Sequence, residues 1–378
     1  MNDSIYENFS LVYFLKNINS LGDVRIRKIV EKYNSLDILL NLSKEHLMRI
    51  EGLNEKVCQE IYCQFDKITE IRKAIGTLLS KCSDKKINFT TILDEDYPYN
   101  LRNIYDAPVL LYYMGKLREK DRYSVSIVGT RTPSDYGRRV CVDLTKELSR
   151  KGIPVISGLA IGIDSIAHNT CVENENLTYA ILGSGVDNLY PPDNRLLYNR
   201  IIETGAVVSE FDVGTKAEKV NFPRRNRVVS GISLGTIVVE SGAKGGSLIT
   251  AEFALDQNKE LFAIPGNINA RNSEGCNNLI KKGYAKLVMN VDDVLSELSY
   301  KIGDLVDNKV EKAIKKENPA LNVFETKIYN VLNETEPINV DSICELTELN
   351  VSDCLVNLLT MEFKGLVSQL PGKYFIKI

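Results

Sequence analysis

The chain is short of the features that mark metal, membrane and catalytic proteins. None of its eight cysteines forms a CxxC pair, and only His46 and His168 are available to assist them. Zinc-site ligand spacing is therefore missing, and neither a metal nor a cofactor is expected. No basic-then-apolar stretch opens the N-terminus, and no apolar run approaches the ~18 residues a membrane span needs. The expectation is a cytoplasmic protein with reduced thiols and no membrane partner. Excess charge is absent as well: 47 basic against 50 acidic residues leave a net charge of −3. Any basic footprint for nucleic acid must then be local. There is no GxxxxGK[ST] loop, no nucleophile elbow and no carboxylate cluster of the two-metal kind. That removes the usual signatures of ATP-binding, hydrolase and nuclease chemistry, and no catalytic residue is assigned.

What remains is an ordinary globular composition, 44% hydrophobic over 378 residues, enough for two or three domains. Residues 1–82 read as short helices. Two segments, Ile18–Val30 and Leu47–Ile61, each place a glycine (Gly22, Gly52) one or two residues after an apolar one and ahead of a new helical period. This is the pattern of a helix-hairpin-helix, whose turn can face a phosphate; a small helical bundle uses the same turns for packing alone. Residues 85–122, with Pro98 and Pro108, suit edge strands or a lead-in to the next domain. From Tyr123 to about Leu298, Val- and Ile-rich runs alternate with helical patterns, which predicts a parallel sheet covered on both faces. Within this 85–298 domain Asp164 reads as a helix cap and His168 as structural. Residues 299–319 are charged and read as a linker. Residues 320–378 show three helices and a hairpin turned at Pro371-Gly372, the pattern of a winged helix. From Leu321 onward, eight acids against four bases leave −4, which is wrong for a DNA-reading face and points to protein contact.

The glycines of the middle domain carry the functional signal. Gly129-Thr130-Arg131 follows the first strand; Ser157-Gly158, with Gly162, follows the second. Gly183-Ser184-Gly185 follows the third, and Ser241-Gly242 with Gly245-Gly246-Ser247 follows a later one. In a doubly wound sheet such turns line up at the carboxyl ends of the strands, where helix N-termini favour anions. Four in succession predict a row of phosphate cups suited to a polymer; close helix–strand packing is the other use of such glycines. Arg131, Lys244 and the run Arg224, Arg225, Arg227 supply cations near the same edge, for phosphate or for buried carboxylates such as Asp164 or Glu240. Tyr190 beside Pro191 and Phe222 beside Pro223 are candidates for base stacking, or for plugs over the core.

Taken together, SIVGTR (126–131), SGLAIGIDSIAH (157–168), AILGSGVDNLYP (180–191), FPRRNRVVSG (222–231), GGSLITA (245–251), FAIPG (262–266) and GCNNLIKKG (275–283) resemble the DNA-processing protein A (DprA/Smf) family in order and spacing. The resemblance implies an α/β protein with an extended Rossmann-like parallel sheet. An N-terminal helical domain of helix-hairpin-helix or SAM-like type and a C-terminal winged helix would flank that sheet. It further implies a non-catalytic protein that binds and protects single-stranded DNA during natural transformation. Such a protein dimerises through the Rossmann-like domain and helps load the RecA recombinase. Carried over by motif, the phosphate contacts fall on Gly129, Thr130, Arg131, Ser157, Gly158, Gly162, Gly183, Ser184, Gly185, Arg225, Arg227 and Ser247. Lys244 stands where the family often has serine. Phosphoribohydrolases of the same superfamily, which cleave nucleoside monophosphates, are the alternative. Their PGGxGTxxE glutamate has no counterpart at that offset in AKGGSLITAE, where Glu252 comes later. A small-nucleotide sensor is a third reading.

Overall fold

A computed structural model of the chain describes residues 3–299, 321–333, 337–363, 366–370 and 372–377. It forms two compact units, Met1–Ile302 and Gly303–Ile378. The linker expected over 299–319 lies, from residue 300 on, outside the described residues, and so does Pro371 of the expected hairpin turn.

The larger unit is organised on a nine-stranded sheet. Its strands are β1 (Asn88–Thr91), β2 (Leu110–Gly115), β3 (Val125–Val128), β4 (Val155–Ser157), β5 (Thr178–Ile181), β6 (Ala206–Ser209), β7 (Gly235–Val238), β8 (Glu260–Ala263) and β9 (Lys286–Leu287). They lie in the order β1-β2-β6-β5-β4-β3-β7-β8-β9. From β6 to β9 every pairing is parallel, while β1 and β2 add an antiparallel edge. Strands β3 to β7 are buried along their whole length, as continuous apolar runs covered by helices on both faces require. Chain order reverses at β3: β4, β5 and β6 are laid down on one side, β7, β8 and β9 on the other. A crevice opens at such a switch point, outside the carboxyl ends of the strands.

Residues 3–84 form six helices, from Asp3–Lys16 to Ile68–Asp84. They share one hydrophobic core with the sheet, since Phe9, Phe14, Ile29, Phe89, Tyr112 and Val208 belong to the same buried cluster. The rings of Phe9 and Phe89 stand 4.3 Å apart, and Asn8 Nδ2 donates to Asp94 Oδ1 at 2.7 Å. Among the described residues no helix is long and apolar enough to cross a membrane.

The smaller unit carries helices Val323–Val331, Val340–Thr347 and Val351–Phe363 with three short strands, β10 (Ile338–Asn339), β11 (Val367–Leu370) and β12 (Tyr374–Lys377), ordered β10-β12-β11. This is a winged helix with one strand more than the sequence pattern announced. Its core is Ile328, Val340, Ile343, Leu358, Val367 and Phe375. Its first helix starts on a reciprocal capping box between Asn322 and Glu325, which satisfies two backbone donors at once.

Candidate functional site

A cleft of about 640 Å³ lies at the switch point. Its walls are the loop after β3, the turn after β4, the loop from Gly242 into helix Gly246–Asp256, and the first turns of helix Asn221–Ile232. Gly129, Thr130, Arg131, Gly158, Arg225, Ser247, Tyr190 and Phe222 line it; Ser157, Gly162, Gly183, Ser184, Gly185, Arg227 and Lys244 do not. The charged side chains on its walls are Arg131, Lys219 and Arg225 against one acid, Asp164, so the cleft is built to attract anions.

Its turns are not four open cups, because the protein's own groups fill most of them. Helix Asp135–Arg150, after β3, starts on Ser134, whose hydroxyl accepts from Gly137 N at 3.1 Å. Glu240 then closes that end: Oε2 accepts from Ser134 N at 2.9 Å and Oε1 from Ser134 Oγ at 2.5 Å. The N–H of Thr130 is taken by the Glu240 carbonyl at 2.8 Å. In the turn after β4, Asp164 Oδ2 accepts from Gly158 N at 3.1 Å and Ala160 N at 3.4 Å. Asp164 thus caps the turn before its helix. Burial raises its carboxyl above the ordinary range, and the Arg225 charge and the two N–H donors act against that rise.

The third turn is packed shut. Ser184 Oγ donates to Asn188 O at 2.6 Å, Ser209 Oγ donates to Ser184 O at 2.6 Å, and Gly185 N donates to Thr215 O at 2.9 Å. A Cβ on Gly183 would stand 3.0 Å from the Phe222 ring. Here packing, not ligand approach, accounts for the glycines. Ser157 is likewise internal, its hydroxyl donating to Ile127 O at 2.6 Å. Gly162 has a different task. Its φ is +87°, and a Cβ there would meet Thr130 O at 2.4 Å, so it seats the second turn against the first.

The fourth turn is open. Helix Gly246–Asp256 starts without a side-chain cap, and nothing lies within 4 Å of where a Gly246 Cβ would be. Ser247 Oγ donates to Ser241 Oγ at 2.9 Å. An uncapped helix start beside two exposed cations, Arg131 and Lys219, can hold a phosphate. Lys219 escaped sequence reasoning because, next to Glu218 in a charged loop, it reads as a solvated lysine. Lys244 is exposed on the same glycine loop but outside the cleft wall.

The two arginines of the FPRRNR motif part company. Arg225 is buried beneath the cleft floor: Nη1 donates to Gly158 O at 2.5 Å and also to Ile181 O. Burial pulls its guanidinium down to about 10, with Asp164 opposing, so it stays charged at neutral pH. Arg227 faces away from the cleft. It pairs with Glu210 at 2.6 Å and Asp23 at 3.3 Å, and Arg224 joins the same acids at 3.0 and 3.5 Å. Asp23 opens the helix that follows Gly22, so the first hairpin-like turn of the helical region meets an internal ion cluster. His168 is fully buried; its Nδ1 shares a hydrogen bond with Thr178 Oγ1 at 2.8 Å.

Two aromatics complete the cleft. Tyr190 is 48% exposed, and its ring stands 5.6 Å from that of Phe222, tilted by 56°. Phe222 is the better held, between Gly183 and the Arg225 guanidinium 5.9 Å away.

With this geometry the chain was compared with known proteins. The model of the DNA recombination-mediator protein A family matches residues 88–299, and that of the DprA winged helix domain matches 316–373. Protein Smf of Synechocystis sp. is 31% identical over 97% of this chain and 98% of its own. DNA processing protein DprA of Streptococcus pneumoniae is 38% identical over 76% of this chain and 98% of its own. The crystal structure of DprA from Streptococcus pneumoniae superposes with a TM-score of 0.64 at 35% identity, covering 77% of this chain and 97% of that one. A DNA processing protein A from Helicobacter pylori, solved for its single-stranded DNA binding mode, gives 0.51 at 29% identity, with 57% and 97% covered. The chain belongs to the DNA recombination-mediator protein A (DprA/Smf) family.

Proposed function

We propose that the protein binds single-stranded DNA along the switch-point cleft, without catalysis, and delivers it to a RecA-type recombinase during DNA uptake. The carrying observation is the cleft itself: three cations against one acid, an uncapped helix start, and two aromatics on one wall. Phosphates lodge at the start of helix Gly246–Asp256 between Arg131 and Lys219, with Gly129, Thr130, Gly158 and Ser247 shaping the wall and Arg225 charging the floor. A base stacks on Tyr190, backed by Phe222. Phosphate contact of this kind is blind to sequence. The single-stranded DNA binding mode described for the Helicobacter pylori relative supports the ligand, and the family's description as a recombination mediator supports the recombinase as partner. Ser157, Gly162, Gly183, Ser184 and Gly185 shape the turns behind its walls, and Arg227 belongs to the ion cluster with Glu210 and Asp23 instead.

A homodimer through the sheet domain is part of the same reading. Among the described residues strand β9 is the outer edge of the sheet, and Leu287 and Met289 beside it are exposed. A dimer would set two tracks on one strand and gain avidity without new contacts.

The test is fluorescence anisotropy of a labelled strand of ~20 nucleotides at low and moderate salt, with duplex and AMP as competitors. Salt-sensitive binding that duplex and AMP displace poorly is the expected result. AMP bound or consumed, with the strand ignored, would overturn the reading in favour of a phosphoribohydrolase or nucleotide sensor.

A further inference from the structure

The turn after β4 holds an anion already. Both of its inward N–H groups, those of Gly158 and Ala160, converge on one oxygen, Asp164 Oδ2. The carboxylate lies on the cleft wall, its residue is buried, and Arg225 is anchored to the Gly158 carbonyl of the same turn. In an unfilled glycine turn after a strand these donors would receive a phosphate oxygen. Here they are spent on a carboxylate that stands in the phosphate position, its charge favoured by these two donors and by Arg225 against the burial that raises its pKa.

We infer that Asp164 is a specificity-determining residue that makes the cleft accept phosphodiesters and refuse phosphate monoesters. The inference rests on the strand-binding reading of the cleft. A monoester carries about −1.5 to −2 at neutral pH and presents three terminal oxygens. A diester carries a single charge and presents two. The diester can be satisfied at the start of helix Gly246–Asp256 with Arg131. The additional charge and oxygen of the monoester would face Asp164, where like charge repels them and the Gly158 and Ala160 N–H groups are already taken. A strand interior consists only of diesters; a free nucleotide carries the monoester. One internal carboxylate therefore sorts polymer from mononucleotide without contacting a base.

The convergence of both donors on one oxygen provides a clean test. In Asp164→Asn the amide oxygen can keep both N–H bonds while the charge is lost. In Asp164→Ala the two donors are freed as well. The full-length protein and both variants would be titrated with the labelled strand, then with AMP as competitor. The wild type should hold the strand against millimolar AMP. In the Asn variant the AMP midpoint, taken relative to the variant's own strand affinity, should fall about tenfold, one pKa unit's worth of like-charge repulsion, and further in the Ala variant. Unchanged AMP midpoints in variants that still bind the strand would overturn the inference. So would loss of strand binding in both variants with near-UV circular dichroism intact, because Asp164 would then be supporting the turn for every ligand. A wild type that binds no strand would instead sink the strand-binding reading.

Discussion

Arg225 and Arg227, two residues apart on helix Asn221–Ile232, point to opposite sides of it and serve different parts of the molecule. Arg225 reaches the Gly158 and Ile181 carbonyls under the cleft, and Arg227 closes on Glu210 and Asp23, which joins the sheet to the first helices. Positions i and i+2 never share a helix face. One short basic motif therefore supplies both a charged cleft floor and an interior ion cluster.

Substituting Arg227 should show in stability more than in binding. Arg227→Ala leaves the buried Glu210 carboxylate, one oxygen of which is already unpartnered, to the half-exposed Arg224 alone; breaking a buried pair from one side costs up to about 3–5 kcal/mol, and Arg224 should hold the loss to the lower part of that range. Urea unfolding measures the loss. Arg227→Ala with Glu210→Ala together should recover part of it, and strictly additive losses in that double-mutant cycle would deny the pairing.

Arg131 is exposed and bears on the cleft alone. Arg131→Ala should weaken strand binding for every sequence alike and reduce the slope of log affinity against log salt by about 0.7, one phosphate contact. Anisotropy titrations at several salt concentrations give that slope. An unaltered slope would remove Arg131 from the track.

The two aromatics should separate. Tyr190→Ala should weaken strand binding by about 1–3 kcal/mol, one stacked base, with the melting temperature held. Phe222→Ala should lower both, because its ring also packs on Gly183. Equal effects of the two substitutions on stability would contradict this division.

Gly162→Ala meets two obstacles, a φ of +87° and the Thr130 carbonyl 2.4 Å from the new Cβ. Destabilisation of about 2 kcal/mol or more follows from the strained backbone and the clash, read as a lower urea midpoint. A neutral substitution would show that the two turns do not depend on this close approach.

Acid should destabilise the protein partly through His168. Burial, with the Arg225 charge adding to it, pulls the imidazole down to about 3 from its ordinary 6.5. Between those values the unfolded chain binds a proton that the native state refuses. This contribution is complete above pH 6.5 and is lost as pH falls towards 3. Asp121 acts in the opposite sense: burial lifts its carboxyl from 3.8 to about 7, so its contribution is present below pH 3.8 and is lost as pH rises towards 7. His168→Gln should therefore flatten the rise of stability between about pH 4 and 6 by up to about 1.4 kcal/mol per pH unit. Urea titrations across that range check it, and an unchanged rise would mean that His168 takes up its proton in the folded state.

The alternation of buried apolar runs with glycine-ended turns was enough to determine a doubly wound parallel sheet and the edge at which its switch-point cleft opens. Strand content, helix period and turn chemistry are local properties, and the switch-point crevice follows from them. The winged helix was legible for the same reason, apart from the two-residue strand Ile338–Asn339, too short to carry a period. Which turns stay open was not legible. A glycine-rich turn brings backbone donors to the strand ends, but folding decides whether they remain vacant. Glu240 arrives from 106 positions away to cap Ser134, Phe222 closes over Gly183, and Asp164 turns back onto its own loop. The start of helix Gly246–Asp256 is left without a side-chain cap. The same holds for Arg225 and Arg227. Their cation character is written in the motif, but their division between cleft and core depends on carbonyls and carboxylates that only the folded chain brings within reach.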